Sequence, residues 1–300
     1  LDEILSIQIS FHTPSPGVTE VRFRQADFAA TLVHRYTEEI DVKVLPFANT
    51  PAVKNFTAKP DDDQQGEQFD TCRQHVCGSL WLARGSRFDL LQAVGMLSTR
   101  FETWCRGDDR RLFRMMSYIA STSAAYHSMT YCREDREHLC LKMQVDSDHG
   151  GCLETRRSTS GAACGIVGPH GTHGVVDAMS KRQGTAGPST PHVEVVSIDV
   201  GTRKVLLLAL SAAEFIFQQT LPTLTQSDSE GGIAAIKRGG TRGDLKYMKK
   251  HPGVSFAFLH DFFYGGDAAE AQEREREIGL DTLEHIDGSK NASDLLTKPL

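Results

Sequence analysis

The sequence predicts a mixed α/β fold, with one sheet flanked by helices over residues 122–300 and a mostly helical region before it over 1–121. Three observations carry this expectation. Leu139, Leu141, Met143 and Val145 alternate with polar neighbours, the period-two pattern of a strand with one buried face. Leu80, Leu82, Leu90, Leu91, Val94, Leu97 and Phe101 recur instead near helical spacing. From residue 137 onward the runs follow the order three strands, helix, strand, helices, strand, helix, which builds around a single sheet.

In the first region, Ile4–Phe11 and Val18–Phe23 read as short strands and Phe28–Tyr36 as a helical patch. Residues 58–70 set Lys59 against Asp61, Asp62, Asp63, Glu67 and Asp70, with Pro60 and Gly66 among them. They read as a polar linker or exposed loop. Residues 72–121 are helical by periodicity, with a second helix, Arg110–Ala120, after Gly107. The first strand of the sheet region ends on Asp146, on the face opposite its apolar stripe. Gly161–Gly168 and Gly174–Ser180 supply two more strands, joined by a Pro-His-Gly turn. Thr190-Pro191 reads as an N-cap followed by proline at the first helical position, where its missing N–H is no loss. The helix it opens runs through Val193, Val196 and Val200 towards Phe217. Leu224–Asp228 is a fourth strand, Ile233–Ile236 a short helix and Asp281–Ile286 a fifth strand, with a last helix over 289–298 stopped by Pro299.

Composition sets outer bounds. A length of 300 residues suits about two domains. Ordinary apolar and charged contents exclude wholesale disorder, collagen-like and coiled-coil chains. The net charge of −6 argues against a polycation that coats nucleic acid. That charge is local, because residues 266–287 hold eight acidic residues and two arginines and the rest of the chain sums to zero. The seven cysteines form no Cys-x-x-Cys pair and read as reduced thiols of an intracellular protein that is not secreted. The longest apolar stretch, the 13 residues Val205–Phe217, contains Glu214 and is too short for the ~20 residues of a membrane span. The chain opens Leu-Asp-Glu without Met or a basic-then-apolar leader, which reads as no signal peptide and as a piece of something longer.

Four carboxylates fall at strand ends or helix starts. Asp146 ends the first strand, Glu194 lies in the first turn of the long helix, Asp228 ends the fourth strand, and Asp294 stands in the first turns of the last helix. Capping and a solvated surface are one reading of that placement. The other is a site for hard divalent cations, which take oxygen ligands and neutralise carboxylates that would otherwise repel. Two such ions about 3.5–4 Å apart clamp the attacking and leaving oxygens of an in-line phosphoryl displacement.

Sequence context bears on the choice. Val76–Asp89 (VCGSLWLARGSRFD) and Leu91–Phe101 come first, then Val145–Gly151 (VDSDHGG), Arg156–Gly161 (RRSTSG) and Ser180–Gln183 (SKRQ). Ser189-Thr190 with Glu194, Ser227-Asp228-Ser229 and Ala292–Leu300 (ASDLLTKPL) follow. In this order they resemble the end of the reverse transcriptase and the ribonuclease H domain of copia-type retrotransposon Pol polyproteins. The resemblance implies a ribonuclease H-like mixed five-stranded sheet flanked by helices in 122–300, after a thumb- or connection-like reverse-transcriptase remnant in 1–121. It also implies that Asp146, Glu194, Asp228 and Asp294 are catalytic and bind two Mg²⁺ ions, or Mn²⁺ in their place. The implied reaction is endonucleolytic hydrolysis of the RNA strand of an RNA–DNA hybrid. The implied partners are that hybrid, told apart by its shape and 2′-hydroxyls, and the rest of the polyprotein, in a cytoplasmic particle or the nucleus and away from membranes.

The sequence also departs from this family. The family carries an aromatic residue near Ala178, and losing one from a buried position costs about 3–5 kcal/mol. Gly187, Pro188, Pro191 and His192 replace the usual lead-in to the glutamate helix, and 264–279 (YGGDAAEAQEREREIG) has no counterpart and reads as an insertion. The paired-aspartate motif of a polymerase palm is absent, so no polymerase activity is expected. A catalytically inactive remnant that at most binds nucleic acid is the alternative. An integrase-type nuclease fits poorly, since it needs a last glutamate near position 264, where none stands.

Lys237, Arg238, Arg242, Lys246, Lys249 and Lys250, against Asp244 alone, form a basic window that either tracks hybrid phosphates or is a solvated helix face. Arg156-Arg157 and Lys181-Arg182 are weaker candidates. His170 and His173 sit in a hairpin turn without a cysteine pair, a poor zinc site. His149 and His285 lie near the carboxylates in sequence, and lone histidines are usually surface or core. The glycines between 161 and 171 lack the Gly-Lys-Ser/Thr ending of a phosphate loop, and Ser158, Ser160 and Ser189 stand in no nucleophile motif.

Overall fold

A computed structural model of the chain covers residues 3–54, 56–152, 155–239, 254–265 and 282–299. It divides into two units, Leu1–Met129 with Lys298–Leu300, and Thr130–Thr297. The insertion read at 264–279, apart from Tyr264 and Gly265, lies outside the described residues.

In the first unit, β1 (Glu3–Ile4), β2 (Ile7–Ser15) and β3 (Val18–Arg24) form an antiparallel ribbon. Helix α1 (Ala26–Glu39) buries Ala29, Leu32 and Tyr36, which share one face. Helices α2 (Cys72–Gly85), α3 (Leu91–Ser98) and α4 (Arg106–Ser121) take up the predicted helical stretch. A capping box between Cys105 and Asp108 starts α4. The Asp108 side chain is wholly buried and paired with Arg100 at 3.1 Å and Arg111 at 2.8 Å, as a buried charge requires.

The segment 58–70 is a largely exposed loop, and it is tied to α4. Arg106 pairs with Asp61 and Arg110 with Asp62, while Asp109 of α4 accepts from the backbone N–H groups of Glu67 at 2.6 Å and Gln68 at 3.2 Å. Acidic composition predicts solvent only when no distant arginine answers it, and here α4 supplies two.

The second unit is a mixed α/β domain. Its sheet runs β4 (His127–Cys132), β7 (His173–Arg182), β6 (Thr159–Val167), β5 (Cys140–Ser147), β8 (Thr223–Ser227), β9 (Thr282–His285). Pairing is antiparallel from β4 to β5, while β8 is parallel to β5 and β9 parallel to β8. The five strands from β5 onward are thus the five expected, in the spatial order third, second, first, fourth, fifth. The short strand β4 is an addition that sequence reading missed. Leu141, Met143 and Val145 point to the core as their alternation required, joining Ala162, Cys164, Val195, Ile198 and Leu206 in one buried cluster. Ala178 is also buried, in register with Ala163.

Helix α5 (Thr190–Gly201) is buried almost all round, from His192 to Asp199, as suits a helix without a polar face. The expected single helix to Phe217 is instead interrupted by a π-turn at Thr202–Leu206 and resumes as α6 (Leu207–Phe217). The Thr202 hydroxyl donates back to the Ile198 carbonyl at 2.8 Å, a competitor for the helical ladder at that point. After β8 come α7 (Glu230–Lys237) and α8 (Phe256–Tyr264).

The last helix differs from the expected 289–298. A 3₁₀ turn at Gly288–Lys290 and a single helical turn, α9 (Asp294–Thr297), flank an irregular Asn291–Ser293. Asn291 Nδ2 donates to the Val145 carbonyl at 2.8 Å and Ser293 Oγ to the Gln144 carbonyl at 2.6 Å. Side chains spent on the sheet in this way hold the segment out of a continuous helix.

Candidate metal centre

The register of the parallel pair creates the site. Val145 of β5 lies opposite Ser227 of β8, and on each strand the next residue is an aspartate. Asp146 and Asp228 therefore emerge side by side at one end of the sheet. The third carboxylate comes from α5, which packs over β5 and β6. Ser197 of that helix donates to the Asp146 carbonyl at 2.6 Å. Gln183 steadies its start, bonding through Nε2 to the Val193 carbonyl at 2.9 Å and to Ser160 Oγ at 3.0 Å. Pro191 sits in the first turn of α5, a position that tolerates proline, so the altered lead-in leaves Glu194 facing the aspartates.

One oxygen from each of Asp146, Glu194 and Asp228 lies within 4.8 Å of the other two. Asp146 and Glu194 are buried and Asp228 is half-buried. Among the described residues no other trio of His, Cys, Asp or Glu meets that spacing. Asp294 is not part of the group. It opens α9 and is half-buried.

The trio is electrostatically unstable by itself. Burial, followed by the charges of Asp146 and Asp228, pushes the Glu194 carboxyl up to about 8, against the opposing pull of its bonds from Ser147. Ser147 Oγ donates to Glu194 Oε1 at 3.2 Å, whereas the buried Glu194 Oε2 has no hydrogen-bond partner. Buried polar atoms are ordinarily paired. Three converging carboxylates with an orphaned oxygen are the donor set of a hard divalent cation, so the residues present fit such an ion. The backbone also leaves room beside Asp228, because a Cβ on Gly288 would stand 3.1 Å from its Oδ2.

Sequence reasoning missed two hydroxyls here, Ser147 on Glu194 and Thr297 on Asp146 Oδ2. Both sit inside quoted motifs, VDSDHGG and LLTKPL, which was the only signal available. The other candidates stay apart from the trio. His149 and His285 are exposed. His170 Nδ1 is paired with Asp135 at 2.9 Å, and His173 Nδ1 with the Gly171 carbonyl at 2.8 Å. Lys237 and Arg238 are exposed at the end of α7, and Lys237 lies 5.8 Å from the centre of the Tyr264 ring. Arg242, Lys246, Lys249 and Lys250 lie outside the described residues.

No protein-family model matches the chain. A curated protein of Plasmopara viticola, secreted RxLR effector protein 161, is 29% identical over 131 residues, which is 44% of this chain and 86% of that protein. The solved structures similar to the chain include ribonuclease H proteins. One is LC11-RNase H1 in complex with an RNA/DNA hybrid, at 16% identity and TM-score 0.29, over 52% of this chain and 93% of that one. Another is RNase H1 of the halophilic archaeon Halobacterium salinarum, at 14% identity and TM-score 0.29, over 53% and 94%. A third is the RNase H domain of PFV, at 13% identity and TM-score 0.28, over 53% and 91%.

Proposed function

We propose that the second unit is a divalent-metal-dependent nuclease of the ribonuclease H type, derived from a copia-like retrotransposon Pol polyprotein, that hydrolyses the RNA strand of RNA–DNA hybrids inside the cell. The observation that carries the proposal is the convergence of Asp146, Glu194 and Asp228 at the end of a parallel strand pair, with one glutamate oxygen left unpartnered. Asp146, Glu194 and Asp228 would hold Mg²⁺ or Mn²⁺. Bound ions of this kind lower the pKa of a coordinated water and stabilise the departing 3′ oxygen.

The chain's own residues supply the rest. The rigid sheet end fixes the two aspartates, and Ser147 and Gln183 fix the glutamate and the helix that bears it. Lys237 and Arg238 would meet hybrid phosphates beyond the metal site. Hybrid is distinguished from duplex DNA by groove shape and 2′-hydroxyls, so little base readout is needed.

The test is cleavage of an end-labelled RNA–DNA hybrid with Mg²⁺ or Mn²⁺, beside the matched DNA duplex and with Asp146→Asn as control. Internal cuts in the RNA strand alone, lost in Asp146→Asn and in EDTA, are expected. Wild-type cleavage no greater than that of Asp146→Asn would leave a nucleic-acid-binding remnant at most.

A further inference from the structure

The C-terminal motif has so far only a family label, and the structure gives it a task. Asn291, Ala292, Ser293 and Thr297 all bond towards β5 just where Asp146 leaves it. Asn291 Nδ2 reaches the Val145 carbonyl and Ser293 Oγ the Gln144 carbonyl, at 2.8 and 2.6 Å, while the Ala292 N–H reaches Gln144 Oε1 at 3.2 Å. At the end of this run the buried Thr297 hydroxyl donates to Asp146 Oδ2. The approach needs a bare backbone opposite. A Cβ on Gly161, the residue paired with Asp146 across β5 and β6, would stand 2.7 Å from Thr297 Cγ2 and 2.9 Å from Leu296 Cβ.

We propose that Thr297 is a positioning residue for the metal centre: its hydroxyl holds the Asp146 carboxylate in the orientation that a divalent ion meets, and Asn291–Ser293 is the strut that fixes Thr297. The inference rests on the trio being a cation site. A carboxylate oxygen with a hydroxyl donor has one rotamer stabilised before the ion arrives. Without the donor, that oxygen is free to turn towards or away from the two neighbouring carboxyl groups. Partners of this outer kind commonly change metal affinity 10–100-fold when removed.

The test uses the full chain and reads ion binding, by calorimetric titration with Mn²⁺, for wild type, Thr297→Val, Thr297→Ser and Asp146→Asn. Valine keeps the methyl against Gly161 and removes the hydroxyl, whereas serine keeps the hydroxyl and removes the methyl. The expected result is Mn²⁺ affinity about tenfold or more weaker in Thr297→Val, near wild type in Thr297→Ser, and lost in Asp146→Asn. Thermal unfolding without metal accompanies each titration, so that a misfolded valine variant is recognised and the serine variant decides. Serine binding as weakly as Asp146→Asn, or a folded valine variant binding like wild type, overturns the role of the hydroxyl while the cation site stands. Equal failure of wild type and Asp146→Asn to bind Mn²⁺ overturns the site and this inference together.

Discussion

Replacing Glu194 by glutamine tests the proton that this carboxyl holds at neutral pH in the absence of metal. In the folded chain this carboxyl is pushed up to about 8 by burial and by Asp146 and Asp228, against an ordinary value of 4.5. A raised folded-state value means that the native protein binds a proton which the unfolded chain has released. Its full contribution is therefore present below about pH 4.5 and is lost as pH rises towards 8, at about 1.4 kcal/mol per pH unit. Between pH 5 and pH 7 the metal-free protein should lose about 3 kcal/mol from this group alone. Glutamine matches the protonated acid in size and in its lack of charge, but it does not titrate. Glu194→Gln should therefore be more stable than wild type at pH 7 in EDTA by up to about 3 kcal/mol, and equal to it near pH 4.5.

Both tryptophans, Trp81 and Trp104, belong to the first unit, so their fluorescence is blind to this site. The second unit is followed through the Cys164 thiol, which is wholly buried on β6 and becomes open to alkylation when the unit unfolds in urea. Added Mn²⁺ should restore stability to wild type at pH 7.5 by about 2.7 kcal/mol at a hundredfold excess over its dissociation constant, and should do little for Glu194→Gln. Parallel pH profiles for the two proteins in EDTA would refute the reasoning, since they would show that Glu194 ionises as freely in the fold as outside it.

Two further perturbations separate packing from charge. Gly161→Ala should cost about 1–3 kcal/mol by overpacking against Thr297 and Leu296, and should weaken Mn²⁺ binding as Thr297 withdraws; urea unfolding followed at Cys164, with parallel titration, checks both. Burial alone would raise the Asp135 carboxyl, but bonds from Thr172 and His170 outweigh it and hold the group well below the usual carboxylate range. Its stabilising contribution is accordingly present above about pH 4 and lost as pH falls. Acid should thus loosen the β6–β7 turn in wild type, while Asp135→Asn lowers stability at pH 6 and flattens the acid dependence, as amide exchange of the 167–173 peptide would report.

Legibility followed the range of the interactions. The period-two stripe from Leu139 to Val145 is a local signal backed by burial, and it placed β5, which ends one residue beyond Asp146. The start of α5 is equally local, although the N-cap is Ser189 and not Thr190, and proline in the first turn did not disturb Glu194. By contrast, 289–298 looks helical in isolation, yet Asn291 and Ser293 spend their side chains on carbonyls of a strand more than a hundred residues away. The partners of the acidic segment 58–70 were hidden for the same reason, its charges being answered from α4. Ser147 and Thr297 could not be singled out either, because a hydroxyl carries no periodicity and acquires meaning only from the carboxylate beside it.

The metal centre is where sequence-level rules should conflict, and they do. Glu194 sits within the buried stretch of α5 from His192 to Asp199, where local patterning calls for an apolar side chain. Two aspartates approach it, and one of its oxygens is left without a donor. Each feature opposes folding of the metal-free chain, and the two charges that raise the Glu194 carboxyl are both carboxylates. Native sequences retain such conflicts chiefly at functional sites. The opposition is also specific in sign, since three converging carboxyl groups are relieved by a cation, which lets Glu194 ionise, and are worsened by a phosphate arriving alone. On the proposed function, hybrid phosphate would reach this end of the sheet favourably only with the ion in place. Binding of hybrid at the site should accordingly depend on divalent metal more steeply than on monovalent salt.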